Sequence, residues 1–239
     1  LLPTADGPSP LVGQAAGLCW VIALASMLFG NLLGLWQNNL RRLLAYSGVA
    51  HAGYMIIGLG AGSGAGAAVS GDAALAFYVP VYTLMTFGLF AAITLLSTPE
   101  RPVETVDDLA GLGKSHPFLA LMMAICLFSL TGLPPTVGFL AKLNIFLAAW
   151  GSEQHLYRTL ALLMAVLAAV GAWYYLRLIA VMYLRDAVKP LTVRVSWTGM
   201  VAVTICAVSV LWLFVRPNSL WQEAALATQV PVAAVPASK

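Results

Sequence analysis

The chain has 239 residues, 61% of them hydrophobic and only 9% charged, with a formal net charge of +3. That balance lies far outside the range of a water-soluble domain. The basic residues sit in loops beside apolar runs, which membrane topology explains better than a nucleic-acid surface does.

Six apolar runs are long enough to cross a bilayer: about 15–36, 43–60, 74–97, 117–150, 159–184 and 195–215. The expected fold is an all-α polytopic membrane protein of six transmembrane helices, forming a single transmembrane domain over 1–239. No basic segment with a cleavage site precedes the first run, so no signal peptide is expected. A leucine in first position suggests a piece of a longer chain. Cys19, Cys126 and Cys206 fall inside runs far apart in sequence and read as small apolar core residues, not as a disulfide or thiolate metal site.

Arg41 and Arg42 follow the first run, Arg101 and Lys114 the third, and Arg185, Lys189 and Arg194 the fifth. The alternate loops hold only Arg158, with Arg216 and Lys239 after the last run. The richer set is expected in the cytoplasm, which puts both chain ends on the periplasmic side of a bacterial inner membrane. The glycine-rich stretch 60–72 reads as an uncharged external linker, and 98–116 as a solvated cytoplasmic connector. Trp36, Trp150 and Trp197 fall near the expected membrane boundaries, as anchoring tryptophans do. Nothing is assigned to the tail after Arg216.

The second run is dense in small residues (Ala50, Ala52, Gly53, Gly58), which suits close packing on other helices. It also carries His51, about 13 Å along the helix from Arg42. Ser47 and Tyr54 stand at i−4 and i+3 and share its face. A histidine titrates near neutral pH and its hydroxyl neighbours can pass its proton, so a relay is one reading; a neutral core histidine is the other. His51, His116 and His155 lack ligand spacing, and no metal site is expected. In the third run Tyr78, Tyr82 and Thr86 fall at successive i+4 steps and make one hydroxyl-bearing stripe.

The fourth run, PFLALMMAICLFSLTGLPPTVGFLAKLNIFLAAW, would make a helix about 50 Å long against a hydrocarbon core of about 30 Å. Gly132-Leu133-Pro134-Pro135 supplies an interruption, because proline lacks the donor that a helix interior needs. Lys142 lies eight residues from the break and eight from Trp150, deep in the membrane. An ionisable group there costs at least about 2.5–3.5 kcal/mol and marks an ion or proton path by default. No acidic residue within these runs is available to pair with it. Gly138, one turn earlier, is expected to leave room for a water, and the break to free backbone groups that protein or water must satisfy. Discontinuous helices of this kind build ion sites in many transporters. Arg177 in the fifth run either snorkels to the headgroups or borders the same polar interior.

These residues carry a resemblance. SLTGLPPTVGFLAKLNIF (129–146) closely resembles the broken-helix motif of the antiporter-like membrane subunits of respiratory complex I. QNNLRRLLAYSGVAHAGYMIIGL (37–59) and YYLRLIAVMYL (174–184) resemble two further signatures of that family. The lysine in its GFLAK context is similar to the N branch of the family. The resemblance implies that about 15–184 form the second five-helix repeat of a longer NADH:quinone oxidoreductase subunit, followed by a last helix at about 195–215. It implies that Lys142 and His51 belong to a proton relay; Ser47, Tyr54, Tyr78, Tyr82, Thr86, Gly138, Pro134, Pro135 and Arg177, read from their positions, are expected to support it. It further implies other membrane subunits of complex I as partners, alongside the lipid bilayer and protons. Flavin, iron–sulfur clusters and the quinone site are expected in other subunits, since the chain has no glycine-rich nucleotide fingerprint and no cysteine cluster. A cation/proton antiporter subunit, a membrane-bound hydrogenase subunit and a non-conducting scaffold are the alternatives.

Overall fold

The computed structural model describes residues 10–62, 69–98, 102–187 and 196–228. The charges expected at Arg101, Lys189, Arg194 and Lys239, and part of the 60–72 linker, lie outside them.

Among the described residues the chain is helical throughout: α1 (Pro10–Leu35), α2 (Leu40–Ala61), α3 (Gly71–Leu96), α4 (Leu112–Ser115), α5 (Pro117–Thr131), α6 (Val137–Trp150), α7 (His155–Leu184), α8 (Trp197–Val215) and α9 (Pro217–Thr228). Five of them (α1, α2, α3, α7, α8) are long and apolar enough to span a bilayer. The fourth apolar run is broken where Pro134 and Pro135 lead one to expect. It divides into α5 and α6, of 15 and 14 residues, each too short alone.

The division follows from local chemistry. Pro117 opens α5 where no amide donor is needed. Gly132, at φ +83°, ends α5 in the left-handed region and donates its N–H to the carbonyls of Phe128 and Ser129. Pro134 and Pro135, joined by a cis peptide bond, cannot continue the ladder. Ser129 then reaches across the break, its Oγ accepting from the N–H of Gly138 in the first turn of α6 at 3.1 Å.

Small residues set the packing, as expected where lipid gives no hydrophobic drive between helices. A Cβ on Gly30 would stand 2.5 Å from the Ala50 backbone nitrogen, and one on Gly53 would stand 2.9 Å from the Ala23 carbonyl, so α1 and α2 nearly touch backbones. Gly58 closes likewise on Ile145 of α6. Ala52, counted with them from the sequence, faces outward instead.

Two segments differ from expectation. The connector is more than a solvated link: Val106, Leu109 and Leu112 are fully buried, and residues 104–106 bond backbone to backbone with the α1–α2 turn (Leu40 N to Glu104 O, 2.7 Å; Val106 N to Asn38 O, 2.9 Å). Its apolar residues, spaced three apart, fill the end of the bundle. Arg185–Asp107 and Lys114–Asp186 ion pairs fasten it to the end of α7, and the Lys114 ammonium holds the Asp186 carboxyl below its usual range. Beyond Arg216, Pro217–Thr228 form α9, which lays Trp221 against Phe77 of α3 (ring centroids 5.8 Å) and buries Ala224.

Arg41, Arg42, Lys114 and Arg185 therefore gather at one end of the bundle, the connector end. Trp36 and Trp197 are about 80% exposed at helix ends, as interfacial anchors are.

Candidate functional site

Lys142 projects from α6 back toward the break. Its Nζ donates to the carbonyls of Leu130 (2.8 Å) and Thr131 (2.9 Å), two acceptors that the ending of α5 leaves without helical partners. A cation at a helix C-terminus is also favoured by the aligned peptide dipoles. The Tyr54 ring also faces it, its centroid 5.4 Å from Nζ. A cavity of about 360 Å³ opens beside it, lined by Gly132, Phe139, Lys142 and Phe146 and by Met164 and Ala168 of α7.

Gly132 serves this arrangement twice. Besides its left-handed φ, a Cβ there would stand 2.8 Å from Lys142 Cδ. Gly132→Ala is expected to cost about 1–2 kcal/mol from backbone conformation alone, read as an earlier thermal transition of the purified assembly, and to push the ammonium off its carbonyls.

Gly138 does not leave space for a water. Ser129 fills that space, with its carbonyl in direct contact with the position of any added Cβ. The sequence shows the glycine but not which backbone approaches it.

His51 lies at the centre of the bundle, 1% exposed. Its Nδ1 bonds with the hydroxyl of Tyr78 (2.9 Å) and its Nε2 with that of Tyr175 (3.2 Å). Tyr175 in turn shares a short hydrogen bond with Ser47. The Tyr82 ring lies against the imidazole at 4.9 Å between centroids, and Tyr54 meets it edge-on at 5.4 Å. A neutral imidazole has one donor and one acceptor nitrogen, so one tyrosine donates to it while the other accepts. Exchanging the tautomer reverses both bonds. Tyr78–His51–Tyr175–Ser47 is thus a continuous series of hydrogen bonds whose direction depends on the imidazole tautomer.

A second series runs alongside. Asn31 Nδ2 donates to the Tyr54 hydroxyl (3.1 Å) and to the Met27 carbonyl (2.8 Å), and the Tyr174 hydroxyl donates to Asn31 Oδ1 (3.3 Å). Asn31 is fully buried, and the neighbouring Tyr174 and Tyr175 rings join the two series at 4.5 Å between centroids. Asn31, Tyr174, Tyr175 and Ser129 are functional candidates that only the structure brings out. Asn31 is visible in sequence as a lone amide in an otherwise apolar run, and the tyrosine pair stands inside the YYLR segment.

The structure thus brings Ser47, His51, Tyr54, Tyr78 and Tyr82 together, with the Lys142 ammonium beside them against the Tyr54 ring. Arg177 is not among them: its guanidinium donates to Asn38 Oδ1 at 2.9 Å, at the connector end. Thr86 lies a turn beyond Tyr82, outside either series. No group of three or more His, Cys, Asp or Glu that could hold a metal ion occurs among the described residues. The three cysteines are free.

Fold and site define a class: a multi-pass helical membrane protein organised around a broken helix, with a lysine at the break and a buried hydroxyl–imidazole network beside it. Residues 10–168 match the model of the NADH:quinone oxidoreductase/Mrp antiporter transmembrane family, and the chain belongs to that family. It is 38% identical over 200 residues to NADH-quinone oxidoreductase subunit N 1 of Herpetosiphon aurantiacus, covering 83% of this chain and 39% of that protein. It is 39% identical over 210 residues to subunit N of Coxiella burnetii, covering 87% and 42%. The chain spans about two fifths of the length of these curated relatives. Among solved structures, a chain of respiratory complex I from Thermus thermophilus superposes with a TM-score of 0.71 at 31% identity, over 86% of this chain and 45% of that one. A chain of the Mrp complex from a Dietzia species shares the fold at a TM-score of 0.76 and 22% identity, over 89% and 46%.

Proposed function

We propose that this chain is the C-terminal half of an N-type subunit of a proton-pumping NADH:quinone oxidoreductase, and that it moves protons by switching the charge of Lys142. About 15–184 would form its second five-helix repeat and α8 its last helix, with the α5–α6 pair crossing the membrane as the broken fourth of six spans. The connector end, rich in Arg and Lys, would face the cytoplasm. Flavin, iron–sulfur and quinone chemistry would belong to other subunits, whose charge changes would bias the lysine electrostatically.

The observation that carries the reading is Lys142 itself. Its amine lies at the interruption of a membrane helix, bonded among the described residues to backbone carbonyls and to no carboxylate, beside a cavity and an aromatic ring. Protons would travel to it through the His51 hydroxyl series.

The competing view is a scaffold, in which the same two carbonyl bonds merely cap α5. Lys142→Arg separates them. A guanidinium can cap the carbonyls equally well but does not release its proton near neutral pH. Complexes carrying Lys142→Arg are expected to assemble normally and to lose proton pumping in inverted vesicles, together with coupled NADH oxidation. Wild-type pumping by that variant would remove the proposal.

A further inference from the structure

Tyr54 shares the hydroxyl-bearing face of α2, yet its hydroxyl bonds to Asn31 and not to the His51 series. What it offers Lys142 is the face of its ring, over which the ammonium lies at 5.4 Å from the centroid. An aromatic face carries negative charge density, so it attracts an ammonium and does little for a neutral amine. A contact that favours only the charged form of Lys142 bears on how readily that form gives up its proton.

The ring is held in place by an amide in the apolar run of α1. Asn31 is fully buried, and its Nδ2 donates to the Met27 carbonyl at 2.8 Å and to the Tyr54 hydroxyl at 3.1 Å. A carbonyl only accepts, so the Met27 bond fixes which way the amide faces and makes the Tyr54 oxygen an acceptor as well. Asn31 Oδ1 accepts from Tyr174 of α7, and a Cβ on Gly171 of α7 would stand 2.6 Å from that oxygen. Bonds and close packing from α1, α2 and α7 thus converge on one carboxamide, whose burial is tolerable because its groups are paired.

We infer that Tyr54 stabilises the charged form of Lys142 through its ring face, and that Asn31 is the positioning residue that holds the ring there. The inference rests on the charge-switching reading above for its consequence and adds to it a determinant of the switch. Around the amine, α5 contributes the Leu130 and Thr131 carbonyls, and the cavity residues of α7 (Met164, Ala165, Ala168, Ala169, Ala172) carry no titratable group. His51 lies beside the Tyr54 ring at 5.4 Å between centroids, where Tyr78 and Tyr82 of α3 meet it. Cys206 of α8 lies against Gly88 of α3.

The test reads Lys142 directly in the assembled complex. Phenyl isothiocyanate enters membranes and reacts with a neutral amine but not with an ammonium. The pH at which Lys142 is half labelled in a fixed time, followed by mass spectrometry of its peptide, therefore reports its charge. A trifluorinated phenylalanine at position 54 keeps the shape of the ring and cancels its negative face, whereas Tyr54→Phe keeps both. Relative to Tyr54→Phe, the fluorinated variant is expected to lower the labelling midpoint by about one pH unit, the scale of a desolvated cation–π contact. The alkaline limb of the pumping profile should move the same way. Equal midpoints in the two variants overturn the inference. Asn31→Leu and Tyr54→Phe, each of which releases the ring, should each lower the midpoint by less, and together by no more than either alone. Full additivity would show that Asn31 acts without Tyr54 and would overturn its positioning role. The labelling does not depend on transport: if Lys142→Arg pumps normally the charge-switching proposal falls, while the midpoints still decide this one.

Discussion

Gly138→Ala, the addition of a single methyl group, is expected to prevent the chain from accumulating in assembled complex. The new Cβ would collide with the Ser129 carbonyl and lie 2.7 Å from Ser129 Oγ. A flexible side chain would swing aside, but the carbonyl belongs to the last full turn of α5 and is fixed by that helix. Relief therefore requires α5 and α6 to separate, which lengthens the Gly138 N–H to Ser129 Oγ bond and unseats Lys142 from Leu130 and Thr131. Overpacking of this kind costs about 1–3 kcal/mol even where side chains can adjust, and backbone contact belongs at the upper end or beyond. Native gel analysis of membranes should show depleted complex, with the remainder melting early. Ser129→Ala is the control. It removes the Oγ that caps α6, at about 1 kcal/mol, but leaves the carbonyl in place, so it should not rescue Gly138→Ala. Full recovery in the double variant would mean that the hydroxyl alone sets the spacing.

The contrast between Gly138 and Lys142 shows how much of this site is legible in sequence. Lys142 is legible because its meaning depends on solvent: a charged residue deep in a 34-residue apolar run is anomalous whatever surrounds it. The break at Pro134–Pro135 is equally legible, since proline acts through its own missing donor. Gly138 is not, because a glycine takes its meaning from whatever approaches it, and Ser129 lies nine residues away across a turn whose path the sequence does not specify. His51 and Tyr78 are individually visible, yet the bond from His51 to Tyr175 spans 124 residues and exists only once α7 docks against α1 and α2. The same reasoning explains α9 and the buried connector. Both are short, and neither has the length or the continuous apolarity that makes spans easy to read. Their apolar residues (Trp221 and Ala224, Val106 and Leu109) find partners only on the assembled bundle.

His51→Leu is expected to separate stability from transport. Leucine matches the histidine roughly in volume but offers no polar atom, so the buried Tyr78 hydroxyl loses its His51 partner, while Tyr175 retains Ser47. One stranded hydroxyl costs about 1–3 kcal/mol, seen as a lower melting temperature of the complex. Pumping should fall much further than that loss explains, because the series Tyr78–His51–Tyr175–Ser47 is cut at its centre and the adjacent Asn31 series has no group that exchanges tautomers. The double variant His51→Leu/Tyr78→Phe resolves the two effects. Removing the stranded hydroxyl makes both partners apolar, which is close to neutral for stability, and the melting temperature should recover. Proton transport should not, since the phenyl ring restores packing without restoring a path. Electron transfer from NADH to an artificial acceptor that bypasses the membrane arm should stay at wild-type rate in both variants. A double variant that pumps normally would show that protons reach Lys142 without the imidazole.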